Sequence, residues 1–179
     1  MLQAVVTGIL RLGPPANDPS NRSRSNSPQV GQVRMELIAI IAEAWGWTGL
    51  EPEEIVGEND FGNLMIKDQS GRYWRMCPED LYCKVVADSR AALDALSQDQ
   101  EFLHDWYMTE LVQQARERLG PLAPGFKYCL RIPGTFGGEY GGDNLATISL
   151  VGLVSASGDI ARQIEGLPDG AQVKLNIVD

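Results

Sequence analysis

The sequence holds one histidine, His104, and three cysteines, none of them in a C-x-x-C pair. A Ser-His-Asp or Cys-His catalytic arrangement would have to use His104, which sits between Leu103 and Asp105 in a helical pattern and reads as a surface or half-buried helix residue. The spacing of Cys77, Cys83 and Cys129 matches no zinc knuckle and no disulfide framework. No metal and no cofactor are therefore expected, and the thiols fit a reducing cytoplasm. No apolar run approaches the roughly 18–20 residues of a membrane-spanning helix. Basic residues are also scarce: 15 Lys and Arg face 24 Asp and Glu, a net charge of −9. Direct nucleic-acid binding, which wants a basic face, is disfavoured.

What is present divides into two parts. Residues 1–34 open with an apolar stretch that no Lys or Arg precedes, so a secretory signal is not indicated. They continue as GPPANDPSNRSRSNSPQVG, which has little to bury against its ordering entropy. This part carries four arginines and one aspartate, or +3, so the remainder must carry −12 to give −9 overall. Residues 1–34 are expected to be a disordered or non-native extension. Residues 35–179 are expected to form a single α+β domain, with Met35 as the expected natural start.

From Met35 the hydrophobic period is helical, through Leu37, Ile38, Ile41, Ala42 and Trp45. Glu51-Pro52-Glu53-Glu54 reads as the first turn of a short helix, with acids flanking proline. The period then changes to two. Leu64–Lys67, a turn at 68–71, and Arg72–Met76 predict a β-hairpin, and Tyr82–Ala87 a third strand. Ser89 caps a helix, and Phe102 to Leu119 supply one or two more before Gly120-Pro121. Strands over 127–132, 146–150 and 172–177 and a helix around Asp159–Leu167 complete the reading. Hairpin-joined strands with helices grouped between them predict an α+β fold, with a mostly antiparallel sheet of five or six strands and helices packed on it.

Asp60-Phe61-Gly62 matches a kinase metal-binding triplet, but the rest of that signature is missing, so it reads as a turn with Phe61 packed inward. The loop over 133–143, with Gly137-Gly138-Glu139-Tyr140-Gly141-Gly142, lacks the Lys-Ser/Thr of a phosphate cradle. Two readings of it remain: a flexible connection between strands, or a platform presenting Glu139, Tyr140 and Asp143 to a partner. Pairs such as Glu53/Glu54 and Glu79/Asp80 show no acid–base couple, because burial is what shifts a pKa. Trp45 and Trp106 fall on apolar helix faces. Trp47 and one of Tyr73/Trp74 are the expected exposed aromatics, since strand neighbours face opposite ways.

The blocks NDFGNLMIKDQSGRYWRMCPEDL, QEFLHDW, LGPLAPGFKYCLRIPGTFGGEY and GDIARQIEGLPDG, in that order, resemble a bacterial domain family. It is the family found as the C-terminal part of type VI secretion immunity proteins of the Tdi type, and the resemblance runs from about Met35 to Asp179. It implies a non-enzymatic protein that binds and neutralises a cognate toxin, typically a DNase. A core of −12 is compatible, because it would be steered toward the basic groove of a nuclease. Trp47, Glu51, Glu53, Glu54, Glu139, Tyr140 and Asp143 are the expected partner contacts, chosen for exposure and charge. The alternative is a small-molecule-binding or enzymatic domain that uses the loop over 133–143.

Overall fold

The computed structural model of the chain describes residues 3–5, 27–168 and 170–174. Most of the Pro- and Ser-rich segment, Asp169 and the last residues of the final expected strand lie outside the described residues. None of the described helices is long and apolar enough to cross a membrane.

The first helix, α1, spans Ser27–Trp45 and so begins eight residues before Met35. Arg34, upstream of the expected start, donates to the Ile55 carbonyl at 3.3 Å. Four strands follow in antiparallel order: β2 (Pro52–Glu58), β3 (Leu64–Asp68), β4 (Tyr73–Cys77) and β5 (Tyr82–Ala87). Helices α2 (Arg90–Leu96), α3 (Gln100–Tyr107) and α4 (Thr109–Leu119) lead to a second antiparallel pair, β6 (Phe126–Leu130) with β7 (Leu145–Ser149). Helix α5 (Leu150–Ile164) follows, and β8 (Gln172–Lys174) pairs in parallel with β1 (Gln3–Val5). The fold is α+β, as the hydrophobic pattern implies. Its six antiparallel strands are shared between two sheets.

Alternation along the hairpin sorts the side chains into two layers. Leu64, Ile66, Trp74 and Met76 join Ile41 and Trp45 of α1 and Val154 and Ile160 of α5 in the main core. Met65 and Tyr73 face the other way, against Ala87 and Trp106. Both faces of β4 are thus covered, so Tyr73 and Trp74 are 5% and 6% exposed and neither is the surface aromatic that alternation suggested. Helices α1 and α5 cross so closely that a Cβ at Gly158 would come within 2.6 Å of the Ala44 carbonyl oxygen. Trp45 fixes that crossing by donating to the Val154 carbonyl at 3.1 Å.

The segment read as a helix start at Glu51–Glu54 is instead the beginning of edge strand β2. Pairing with β3 (Pro52 opposite Asp68, Glu54 opposite Lys67) overrides the local helical signal. Proline is tolerated there because the first residue of an edge strand can forgo its N–H. Asp60-Phe61-Gly62 is a turn, as expected. Phe61 is buried against Tyr128, Gly62 takes φ +75°, and the Asp60 carbonyl accepts from the Tyr128 amide at 2.9 Å. This turn joins the two sheets.

The β3–β4 hairpin is organised by Asp68, whose side chain is buried. Its carboxylate accepts from the Ser70 and Arg72 amides, the Ser70 hydroxyl, Arg72 Nε and Trp74 Nε1, all within 2.6–2.9 Å. Burial would raise its pKa, but the hydrogen bonds from Ser70, Trp74 and Arg72 outweigh it and hold the carboxyl well below the usual carboxylate range. A depressed native pKa contributes stability that is present above the unfolded value of about 3.9 and lost as pH falls below it. Asp68→Ala is expected to destabilise the fold at pH 7 by about 2–4 kcal/mol, since it strands buried donors. In urea melts the gap between wild type and variant should shrink as pH is lowered from 5 toward 2.

Candidate functional site

A polar seam runs beneath the α3 layer. Asn59 Oδ1 accepts from the Phe61 and Asn63 amides at 3.0 and 2.9 Å, and its amide nitrogen donates to the Trp106 carbonyl at 2.6 Å. Lys127, buried on β6, donates to the Asn59 carbonyl at 2.9 Å and reaches the Glu58 carboxylate at 3.2 Å. Asn63, fully buried, accepts from Arg75 Nε at 3.0 Å and donates to Glu79 Oε1 at 2.6 Å. The Arg75 side chain is only 5% exposed, yet its guanidinium reaches outward to pair with Asp105, whose side chain is 64% exposed. The same guanidinium lies 5.7 Å from the Trp106 ring centroid. A charge on β4 therefore anchors α3.

Above α3 the chain turns sharply. Met108 adopts a left-handed conformation, φ 47°, and serves as both the end of α3 and the entry to α4. This elbow leaves a groove on each side of α4. One, of about 550 Å³, includes Asn59, Asp60, Tyr107 and Arg116; the other, of about 310 Å³, includes His104, Asp105, Glu110 and Tyr140.

The Gly-rich loop is pinned along its length rather than flexible. The Gly134 amide donates to the Glu79 carbonyl at 2.7 Å, Thr135 Oγ1 to the Asp80 carbonyl at 2.8 Å, and the Tyr140 hydroxyl to the Asp80 carboxylate. Asn144 closes the far side by donating to the Ile132 and Glu139 carbonyls at 2.9 and 2.7 Å. The glycines serve close approach. A Cβ at Gly138 would overlap the Ile132 carbonyl oxygen at 1.8 Å, and one at Gly134 would lie 2.6 Å from the Tyr140 hydroxyl. The amides of Gly134, Phe136, Gly137 and Gly138 all donate to the chain's own carbonyls, which argues against an anion cradle in the first half of the loop.

Six of the seven expected contacts fall into two groups. Glu139, Tyr140 and Asp143 stand together on the pinned loop, with Asp143 paired to Arg118 of α4. Glu51, Glu53 and Glu54 lie at and beside β2, and Glu53 pairs with Lys67 at 2.6 Å. Trp47 is half-buried, stacked on Trp45 and donating to the Ala44 carbonyl at 2.9 Å. The β2 acids sit at the hairpin end of β4 (Glu54 opposite Lys67, which pairs with Tyr73), whereas the loop docks on the turn after Cys77. A five-residue strand, roughly 17 Å, separates them. Tyr107, Asp105 and Glu110 were not among the expected contacts. Their neighbours in the α3–α4 pattern showed amphipathicity, but the elbow that exposes them leaves no mark in hydrophobic period.

The thiols give no sign of nucleophilic activation. Burial pushes Cys83 and Cys129 up to about 12 and raises Cys77 as well. His104 is exposed on α3. The unusual acid is Glu79: it is buried and its Oε2 has no hydrogen-bond partner among the described residues. Burial raises its pKa despite the Asn63 hydrogen bond and the nearby Arg75 charge. A raised native pKa contributes stability that is present below the unfolded value of about 4.3 and lost as pH rises through the native value. Glu79→Gln should therefore gain on the wild type as pH increases from 4 to 8. The gain is expected to grow by at most about 1.4 kcal/mol per pH unit while the native carboxyl stays protonated, and pH-dependent melts would measure it.

No curated protein matches this chain. Among solved structures it is similar to the crystal structure of Atu4351 from Agrobacterium tumefaciens, at 13% identity and a TM-score of 0.49. The match covers 70% of this chain and 64% of that one, so the chain spans less than two thirds of its length. A family model gives a narrower and more specific match than the Met35–Asp179 resemblance. Residues 87–161, from the end of β5 to α5, match the family described as T6SS immunity protein Tdi1, C-terminal.

Proposed function

We propose that this chain is a non-enzymatic immunity protein that binds a cognate secreted effector in the cytoplasm and neutralises it by direct contact. The observation that carries this reading is the match of residues 87–161 to an immunity-protein family. Charge supports it. Among the described residues, seven Lys and Arg side chains pair with the chain's own acids: Lys67, Arg72, Arg75, Arg90, Arg116, Arg118 and Lys127. With so many cations occupied at short range, the excess of acid sets the outward field, which attracts a basic partner and speeds encounter.

A DNase must carry a basic surface for the phosphate backbone, so a DNA-cleaving effector is the proposed target class. Glu139, Tyr140 and Asp143 would supply local contacts from the pinned loop. Glu51, Glu53 and Glu54 would contribute to attraction from the other end of the sheet. Co-expression tests the reading. An effector gene encoded beside this one, induced in a sensitive host, should arrest growth alone and not when this chain is present, and the two proteins should co-purify. Unrelieved arrest with well-expressed, folded protein and no complex would refute it.

A further inference from the structure

Exposed aromatic side chains are few on this molecule. Among the large hydrophobic residues exposed in the described part, Tyr107 (58%) and Tyr140 (46%) are the aromatic ones, and Met35, Val56, Val85, Ile132 and Val151 are the rest. Both tyrosines flank α4, one in each groove beside the Met108 elbow. Tyr is enriched where interfaces concentrate their binding energy, because it offers a large rigid face with one polar end. The elbow is held from below by Asn59, through the Trp106 carbonyl, and by the Arg75–Asp105 pair, so the face is formed before any partner arrives.

The charge on this face has one sign to spare. The two grooves are lined by the acids Glu58, Asp60, Asp105 and Glu110 against the single cation Arg116. Glu58, Asp60 and Asp105 face Lys127, Arg116 and Arg75, which leaves Glu110 as the acid in excess. Glu110 is exposed and opens onto the groove that Tyr140 lines.

We infer that the α4 face, bounded by Tyr107 and Tyr140, is the surface on which a basic segment of a partner protein docks. The tyrosine rings receive the aliphatic stems of its Lys and Arg side chains, and Glu110 receives a charged head. The inference rests on the immunity reading and adds the surface to it.

The test uses the full chain and the purified toxic domain of the effector encoded beside it, with affinity measured by calorimetry. Glu110→Lys and Tyr107→Ala alter exposed groups and should leave the fold intact, with the melting temperature lowered by a few degrees at most, since Glu110 lies in the first turn of α4. Each is expected to weaken binding by about 10-fold or more. Glu54→Lys, the same change of charge at the far end of the sheet, should cost no more than about 3-fold, the share of the long-range field. Wild-type affinity in both α4-face variants, or an equal loss in Glu54→Lys, would overturn the surface while leaving the immunity reading intact. Failure of the wild-type chain itself to bind would overturn both.

Discussion

Two buried asparagines hold this structure in register. Asn59 and Asn63 bracket the β2–β3 turn, and their amides and carbonyls are hydrogen-bonded to four parts of the fold: the end of α3, β6, β4 and the turn after β4. Asparagine suits the role because one side chain both donates and accepts, and a buried network must satisfy each atom to be worth its desolvation. The turn between them also delivers Phe61 into a separate cluster with Leu111 of α4, Tyr128 of β6 and Leu145 of β7. That junction and α5, which packs on both, hold the four-stranded sheet and the β6–β7 pair in one orientation.

The network also places the outward-facing chemistry. Arg75 is buried on the α3 side of β4, where an unpaired cation would be costly, and its partner Asp105 comes from a helix whose other face is in water. One charge pair thus sets the position of α3, the elbow at Met108 and both grooves beside α4. The loop over 133–143 is fixed in the same region through Glu79 and Asp80. In the proposed role, the value of such fixing is preorganisation: an inhibitor that need not order its contact surface keeps more of its interaction energy as affinity.

Much of the fold could be read from the sequence where local signals and tertiary packing agree. The β3–β4 hairpin and β5 alternate as strands should, Ser89 caps α2 by accepting from the Ala92 amide, and Gly120 ends α4 with φ +81°. The reading fails where packing overrides local preference. Leu150–Ser157 is rich in glycine, serine and valine, poor helix formers, yet it forms the first half of α5 because its apolar side is buried against α1 and β6–β7. At Glu51–Glu54 a good helix start becomes a strand because β3 offers partners. The candidate site was half visible: the loop acids and Tyr140 could be picked out by composition. Tyr107 and Glu110 could not, since their exposure depends on a left-handed methionine and a buried arginine that no periodicity records.

The proposed role requires that excess negative charge on a preformed surface draws in a basic protein partner. The association rate constant between the full chain and its effector's toxic domain, followed by stopped flow as salt is raised, addresses it most directly. Electrostatic steering predicts a rate that falls steeply with ionic strength while dissociation changes little. An association rate indifferent to salt would contradict the claim.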